Sequence, residues 1–243
     1  VASRGLGDVY KRQDREIGYM AKKAKVSVLF IPNLFRKFDY ANMVDRLRPN
    51  LPDLKHTIVL DTPGETQFDT RNGFEKWTDF LDRGVQEVPS NTRPPTGSTD
   101  EVFDWNERRP DPSDVGLILF TSGTTGNPKG VMHTHNNVLA AALPWPDHLG
   151  LKQGSVVHMA STFGHLTGYM YGVCLPLLVG GSGIFQDTWN GEEFVRLVAE
   201  HGIQHTSGAT PFLHDLLEAA KSTEYDLSSL KHFCCMGAPI PRV

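Results

Sequence analysis

Cysteine is scarce in this 243-residue chain: Cys174, Cys234 and Cys235 are the only three. An odd number that includes an adjacent pair builds no disulfide framework, which argues for a reducing compartment. No Cys-x-x-Cys pair is present to hold zinc. A basic excess is missing as well. Lys+Arg 24 against Asp+Glu 28 gives a formal charge of −4, which excludes nucleic-acid binding through bulk positive charge. No unbroken apolar run reaches the ~20 residues of a membrane-spanning helix. The uncharged stretch from Gln153 to Gln186 is interrupted by seven glycines and a proline, so it reads as a buried strand–helix–strand passage. The chain starts at Val1 without a charged-then-apolar signal pattern. Internal repeats, HExxH and G-x-S-x-G are likewise missing. The expectation is a cytoplasmic protein with no nucleic-acid partner and no membrane span.

What is present fits a globular chain. Hydrophobic residues at 39% and charged residues at 21% can build a core, and the length suits one large domain or two small ones. Charge is uneven: residues 1–112 carry 18 Lys+Arg and 18 Asp+Glu, whereas residues 113–243 carry 6 and 10. Residues 1–13 lack any periodicity. Their GDVYKRQ string reads either as translated adapter sequence or as a frayed native terminus, and they are set apart from the fold.

Strand and helix signals then alternate. Ile17, Met20, Ala21 and Ala24 share one helical face. Val26 to Ile31 reads as a buried strand closed by Pro32. Asp39 is placed to cap a helix with the face Tyr40, Met43, Val44 and Leu47, stopped by Pro49. His56 to Leu60 reads as a strand, and Phe74, Trp77 and Leu81 as a helix face. Residues 14–82 therefore form a first α/β segment, and the Pro-, Ser- and charge-rich residues 83–114 a linker or long loop. Residues 115–243 form a second α/β segment. It begins with the strand VGLILF (Val115–Phe120), followed at once by a Gly- and hydroxyl-rich loop and a helix through Leu143. Further strands are expected at Ser155–Met159, Gly183–Gln186, Ile203–Thr206 and Lys231–Met236. Helices are expected around Phe194, Leu197 and Val198 and, behind a Thr210–Pro211 cap, around Leu213, Leu216, Leu217 and Ala220. Buried, non-alternating strands separated by helices predict a mostly parallel sheet flanked by helices, the α/β class.

The loop after the 115–120 strand carries the chemistry: Thr121-Ser-Gly-Thr-Thr-Gly-Asn-Pro-Lys-Gly130. Its glycines let successive backbone N–H groups converge on an anion. Thr121, Ser122, Thr124 and Thr125 add hydroxyl donors, and Lys129 adds a mobile positive charge. That set suits a polyphosphate. It is a poor Walker-type P-loop, because Pro128 stands where the second glycine belongs and Gly130 where the Mg²⁺-binding hydroxyl belongs.

The loop, with GVMHTHNN continuing it, resembles the phosphate-binding signature of the adenylate-forming enzymes: acyl-CoA synthetases, luciferases and peptide-synthetase adenylation domains. STFGHLTG is similar to the segment that walls their acyl site, GATPFLHDLL to the next substrate-side segment, and MGAPIPR to the adenine-side segment. FRKFDYANMVDRLRPNLPDLKH resembles the corresponding stretch of medium-chain and cyclohexanecarboxylate CoA ligases. The resemblance runs from about Glu16 to Val243. It implies part of the large N-terminal domain of such an enzyme, with ATP, Mg²⁺ and coenzyme A as partners of a small-molecule carboxylic acid.

By that resemblance, Thr121, Ser122, Gly123, Thr124, Thr125, Gly126 and Lys129 would hold the β- and γ-phosphates of ATP. Gly237, Ala238 and Pro239 would lie on the adenine side. His165 would face the acyl group, and Lys129 and His165 are the candidate catalytic residues. A carboxylate oxygen would attack the α-phosphorus, pyrophosphate would leave, and the acyl group would pass to the thiol of coenzyme A. Positioning and charge neutralisation are the main needs of such chemistry. Thr162 stands where the family commonly has proline, and Met236 where it commonly has glycine. The later family segments that supply the metal ligand, the ribose aspartate and the adenylation lysine do not occur, so the chain is expected to be an internal fragment, inactive by itself, of an enzyme more than twice its length. The alternatives are an adenylation domain, a luciferase-like enzyme, or a non-catalytic nucleotide-binding remnant. No metal ligands are assigned: His133 and His135 lack a third partner, and Gly202 separates His201 from His205.

Overall fold

A computed structural model describes residues 14–35, 38–60, 73–87, 109–121 and 127–239. By internal contacts these residues form two compact units. One holds the residues up to Pro110 together with Phe120–Val131, and the other Asp111–Leu119 together with the residues from Met132.

In the first unit the predicted helical face of Ile17 becomes α1 (Asp14–Lys23), followed by β1 (Val28–Pro32). A short antiparallel pair, β2 (Leu34–Phe35) and β3 (Phe38–Asp39), leads into α2 (Tyr40–Leu47). Asp39 caps α2 as expected: its side chain accepts from the Asn42 N–H at 2.8 Å. Pro49 turns the chain through a 3₁₀ turn, Arg48–Asn50. Next come β4 (His56–Leu60), β5 (Phe74–Lys76) and α3 (Trp77–Glu87). β4 lies between β1 and β5, parallel to both, with Val28 opposite His56 and Thr57 opposite Phe74. Ile31, Met43, Val44, Leu47 and Val59 form its core with Ala21. Phe30 meets Trp77 and Phe80 edge-on, at 5.9 and 6.3 Å. Phe74, expected on a helix, lies in β5: the helix starts only at Trp77, because Phe74–Lys76 pairs with the central strand. α3 continues to Glu87, into the stretch that reads as a linker.

β6 (Val115–Thr121) and β7 (Lys129–Thr134) make a two-stranded sheet. Here the sequence expectation fails. The segment after the loop is a strand, and a helix, α4 (His135–Ala142), begins only where the Thr134 hydroxyl accepts from the Asn137 N–H. Pro128 lacks the N–H that a continuing helical ladder needs, and Lys129–Thr134 instead finds its backbone partners in β6.

The second unit continues with α5 (Trp145–His148), β8 (Val156–Met159), a π-helical turn (Gly168–Cys174), α6 (Leu175–Leu178) and β9 (Ser182–Phe185). After these follow α7 (Gly191–His201), β10 (His205–Gly208), α8 (Thr210–Ser222) and β11 (His232–Cys235). The four strands lie in the order β11-β10-β8-β9, all parallel. Alternation along β8 and β11 sorts side chains between two cores. Val157, Met159 and Cys234 pack with Met170, Tyr171 and Leu175, whereas Val156 and Phe233 pack with Phe194, Val198 and Leu216. A sheet covered on both faces explains how the polar strand His205-Thr-Ser-Gly is buried throughout. No helix among the described residues is long and apolar enough to cross a membrane.

Candidate functional site

In a parallel sheet every strand delivers its next residues to the same edge. After β8 come Ala160–His165, after β9 Gln186–Asn190, after β10 the start of α8, and after β11 Met236–Pro239. β9 and β10 lie on opposite sides of β8, so the winding reverses between β8 and β10. Such a reversal opens a crevice at the carboxyl ends of the strands, the general ligand position of open α/β sheets. The second unit thus brings two predicted segments, those of His165 and of Gly237–Pro239, to one edge.

Beneath that edge lies a buried polar network that the sequence reading missed. His158, fully buried, contacts Thr206 Oγ1 through Nδ1 at 2.8 Å and Gln186 Oε1 through Nε2 at 3.1 Å. Gln186 Oε1 can only accept, so Nε2 carries the ring hydrogen and Nδ1 accepts from the Thr206 hydroxyl. Gln186 Nε2 donates onward to Asn190 O. Burial pushes the His158 pKa down to about 4, against a smaller opposing effect of Gln186 and with help from nearby His205. His205 is also fully buried and is pushed down to about 4, by burial first and by His232 second. Its Nε2 contacts Ser207 Oγ at 2.9 Å, while Nδ1 has no partner. Both rings are neutral at pH 7. The available signal was a histidine inside an otherwise uncharged run.

The Met236–Pro239 turn is fixed at both ends. The Met236 N–H donates to Gly208 O at 3.0 Å, and the Thr210 hydroxyl donates to Pro239 O at 2.9 Å. Between these ties Gly237 has φ +78°, and open space lies where a side chain would begin. Thr210, expected as a cap, is not one. Ala209 occupies the cap position, and no side chain caps α8.

His165 is exposed, and its Nδ1 accepts from the Thr167 N–H at 3.2 Å, which leaves the ring hydrogen on Nε2. Nearby in sequence, exposed Phe163 meets Phe185 edge-on at 5.2 Å. Gly168 is where the chain crosses its own preceding segment: a Cβ there would sit 2.1 Å from the Thr162 carbonyl oxygen. Of the apolar residues that follow, Met170 and Leu175 belong to the core, while Tyr169 and Val173 stay half-buried.

The remaining candidates fall elsewhere. Thr121, exposed, ends β6, and Lys129, exposed, opens β7, both in the first unit. Ser122, Gly123, Thr124, Thr125 and Gly126 lie outside the described residues, as do residues 1–13. His135 packs its ring on Gly116, where a Cβ would meet it at 2.5 Å. Among the described residues no three His, Cys, Asp or Glu side chains gather as metal ligands. The cysteines are free, and burial pushes the thiols of Cys174 and Cys234 up, away from reactivity. A cavity of about 350 Å³ lined by Pro146, Leu151, Lys152, Leu178 and Val179 lies at the amino ends of β8 and β9, away from the carboxyl edge.

Comparison with known proteins meets this geometry. A family model described as AMP-binding enzyme matches residues 10–243. A medium-chain fatty-acid–CoA ligase of Escherichia coli is 29% identical over 232 residues, covering 95% of this chain and 37% of the relative. A methyl-dioxo-octahydroindenyl propanoyl:CoA ligase of Mycobacterium tuberculosis is 30% identical, covering 91% and 39%. The chain therefore spans about two fifths of the length of these relatives. Among solved structures, the anthranilate CoA ligase AuaEII in complex with anthranoyl-AMP superimposes with a TM-score of 0.68 at 20% identity, over 90% of this chain and 37% of that one.

Proposed function

Because the chain belongs to the AMP-binding enzyme family, we propose that it forms the nucleotide- and acid-handling part of an ATP-dependent acyl-CoA ligase acting in the cytoplasm. The relatives that carry the name CoA ligase support this reading. The observation that carries it is the doubly tied turn Met236–Pro239, at the same sheet edge as His165, with backbone space at Gly237.

The residues divide the work. Thr121, Ser122, Gly123, Thr124, Thr125 and Gly126 hold the β- and γ-phosphates, and Lys129 neutralises their charge. Gly237, Ala238 and Pro239 present backbone to the adenine. A substrate carboxylate attacks the α-phosphorus of ATP and pyrophosphate leaves; the coenzyme A thiol then takes the acyl group from the acyl-adenylate, and AMP leaves. His165, with its hydrogen on Nε2, borders the acid. Mg²⁺ would accompany ATP and offset the charge of its phosphates; among the described residues no three His, Cys, Asp or Glu side chains gather to hold it.

The acid is uncharged beyond its carboxylate. Ser161–Gly168 contains no Asp or Glu, and neither does the whole run from Gln153 to Gln186. A substrate ammonium buried there would lose several kcal/mol of hydration without a partner. The test is carboxylate-dependent exchange of labelled pyrophosphate into ATP by the complete gene product. Aliphatic and alicyclic acids are expected to support exchange and free α-amino acids to fail. Preference for an amino acid would replace this reading with an amino-acid adenylation domain.

A further inference from the structure

A Thr-Pro pair at a helix start normally works for its own helix, the threonine as cap and the proline as first turn. In α8 the register is displaced by one residue. Ala209 takes the cap position with extended backbone (φ −78°, ψ 165°), and Thr210 is already helical. Its hydroxyl is thereby released from the helix and reaches the turn beyond β11, a strand that enters the sequence some twenty residues later. It donates to Pro239 O at 2.9 Å, with Cys235 Sγ at 3.5 Å as a weak second neighbour.

The other end of that turn is tied to the strand before Thr210, by the Met236 N–H on Gly208 O at 3.0 Å. Gly208 and Thr210 therefore grip both ends of Met236–Pro239 from one junction, where β10 becomes α8. The two bonds differ in kind. The first is backbone and survives any side-chain change at position 210. The second depends on one hydroxyl. Met236 packs against the core, whereas Gly237 is exposed, with φ +78° and nothing within 4 Å of its would-be Cβ. At Gly237 the turn's shape is held by the ties on either side.

We propose that Thr210 is a positioning residue for nucleotide binding: its hydroxyl fixes the carboxyl end of the Gly237–Pro239 turn and so sets the backbone that receives the adenine. This inference rests on the reading of that turn as the nucleotide side of the site. Thr210 itself touches no substrate, and its contribution enters through Pro239.

The test uses the complete gene product with Thr210→Val, which keeps the shape and removes the donor, and Thr210→Ser, which keeps the donor. Direct binding of ATP and the KM values for ATP and for the acid are measured together with melting temperatures. One neutral hydrogen bond corresponds to roughly three- to tenfold in affinity. Thr210→Val is expected to raise the Kd and KM for ATP by about that factor, to leave the KM for the acid unchanged, and to be rescued by Thr210→Ser. An unchanged ATP affinity in Thr210→Val, or equal shifts for ATP and acid in step with a lowered melting temperature, overturns the inference and leaves the proposed function standing. Failure of the unaltered protein to bind ATP overturns both.

Discussion

Acidification from pH 7.5 to pH 5 should destabilise the second unit through two rings alone. His158 and His205 are fully buried on adjacent strands and pushed down to about 4. In the unfolded chain both return to about 6.5. Because the folded pKa lies below the unfolded one, the unfolded state binds more protons between these values, and stability falls with pH throughout that window. Above pH 6.5 the full stability is present. By pH 5 each ring costs about 2 kcal/mol, about 4 kcal/mol together, a large share of the ~5–15 kcal/mol of a typical domain. Salt bridges and turn hydrogen bonds hold Glu193, Glu218 and Asp226 below their usual values. These groups lose their contribution only at lower pH. The assay is urea unfolding at half-unit pH steps, followed by tryptophan fluorescence. Trp189, whose ring lies 6.2 Å from that of His158, reports locally. His158→Asn should lower stability at pH 7.5 and roughly halve the slope against pH. An unfolding free energy that stays level from pH 7.5 to 5 would refute the argument.

Two further outcomes follow from single contacts. Lys129→Ala in the complete gene product should weaken ATP binding by roughly ten- to a hundredfold, the range of a charge-assisted contact to phosphate; calorimetric titration that finds no change would show that the lysine only solvates its strand. Gly168→Ala should lower stability by about 1–3 kcal/mol despite alanine's better helix propensity, because its Cβ would lie 2.1 Å from the Thr162 carbonyl; a melting temperature equal to or above the parent's would contradict the close crossing.

Local signals proved readable where one residue decides. Asp39 could be named as a cap because a short acceptor before an apolar face has one good use, and β4 could be bounded because its apolar run is central and buried. Phe74 and the segment after the Gly- and hydroxyl-rich loop were misread for a shared reason. Three residues of β5 and six of β7 are strands only because a partner strand lies beside them, and pairing across the chain leaves no mark in local periodicity. At the site, the loop and the Met236–Pro239 turn were visible as motifs. The ties that shape the turn and the buried network were not, since the Thr210 hydroxyl reaches its acceptor across an intervening helix and His158 differs from any strand histidine only by what surrounds it.

A strand at Lys129–Thr134 also changes where an anion's counter-charge comes from. Where a helix follows a glycine-rich loop, stacked peptide units bring about half an elementary charge to its first turn, fixed in direction and independent of any side chain. Peptide dipoles along a strand nearly cancel, so β7 brings no comparable axial field. The first helical turn, at His135, has one of its N–H donors already taken by Thr134. On the proposed assignment the formal positive charge comes from the Lys129 ammonium, beside the hydroxyl and backbone donors of the loop. If Lys129 contacts the phosphates as proposed, its side chain could follow a departing pyrophosphate as the charge moves, which a rigid helix axis cannot do.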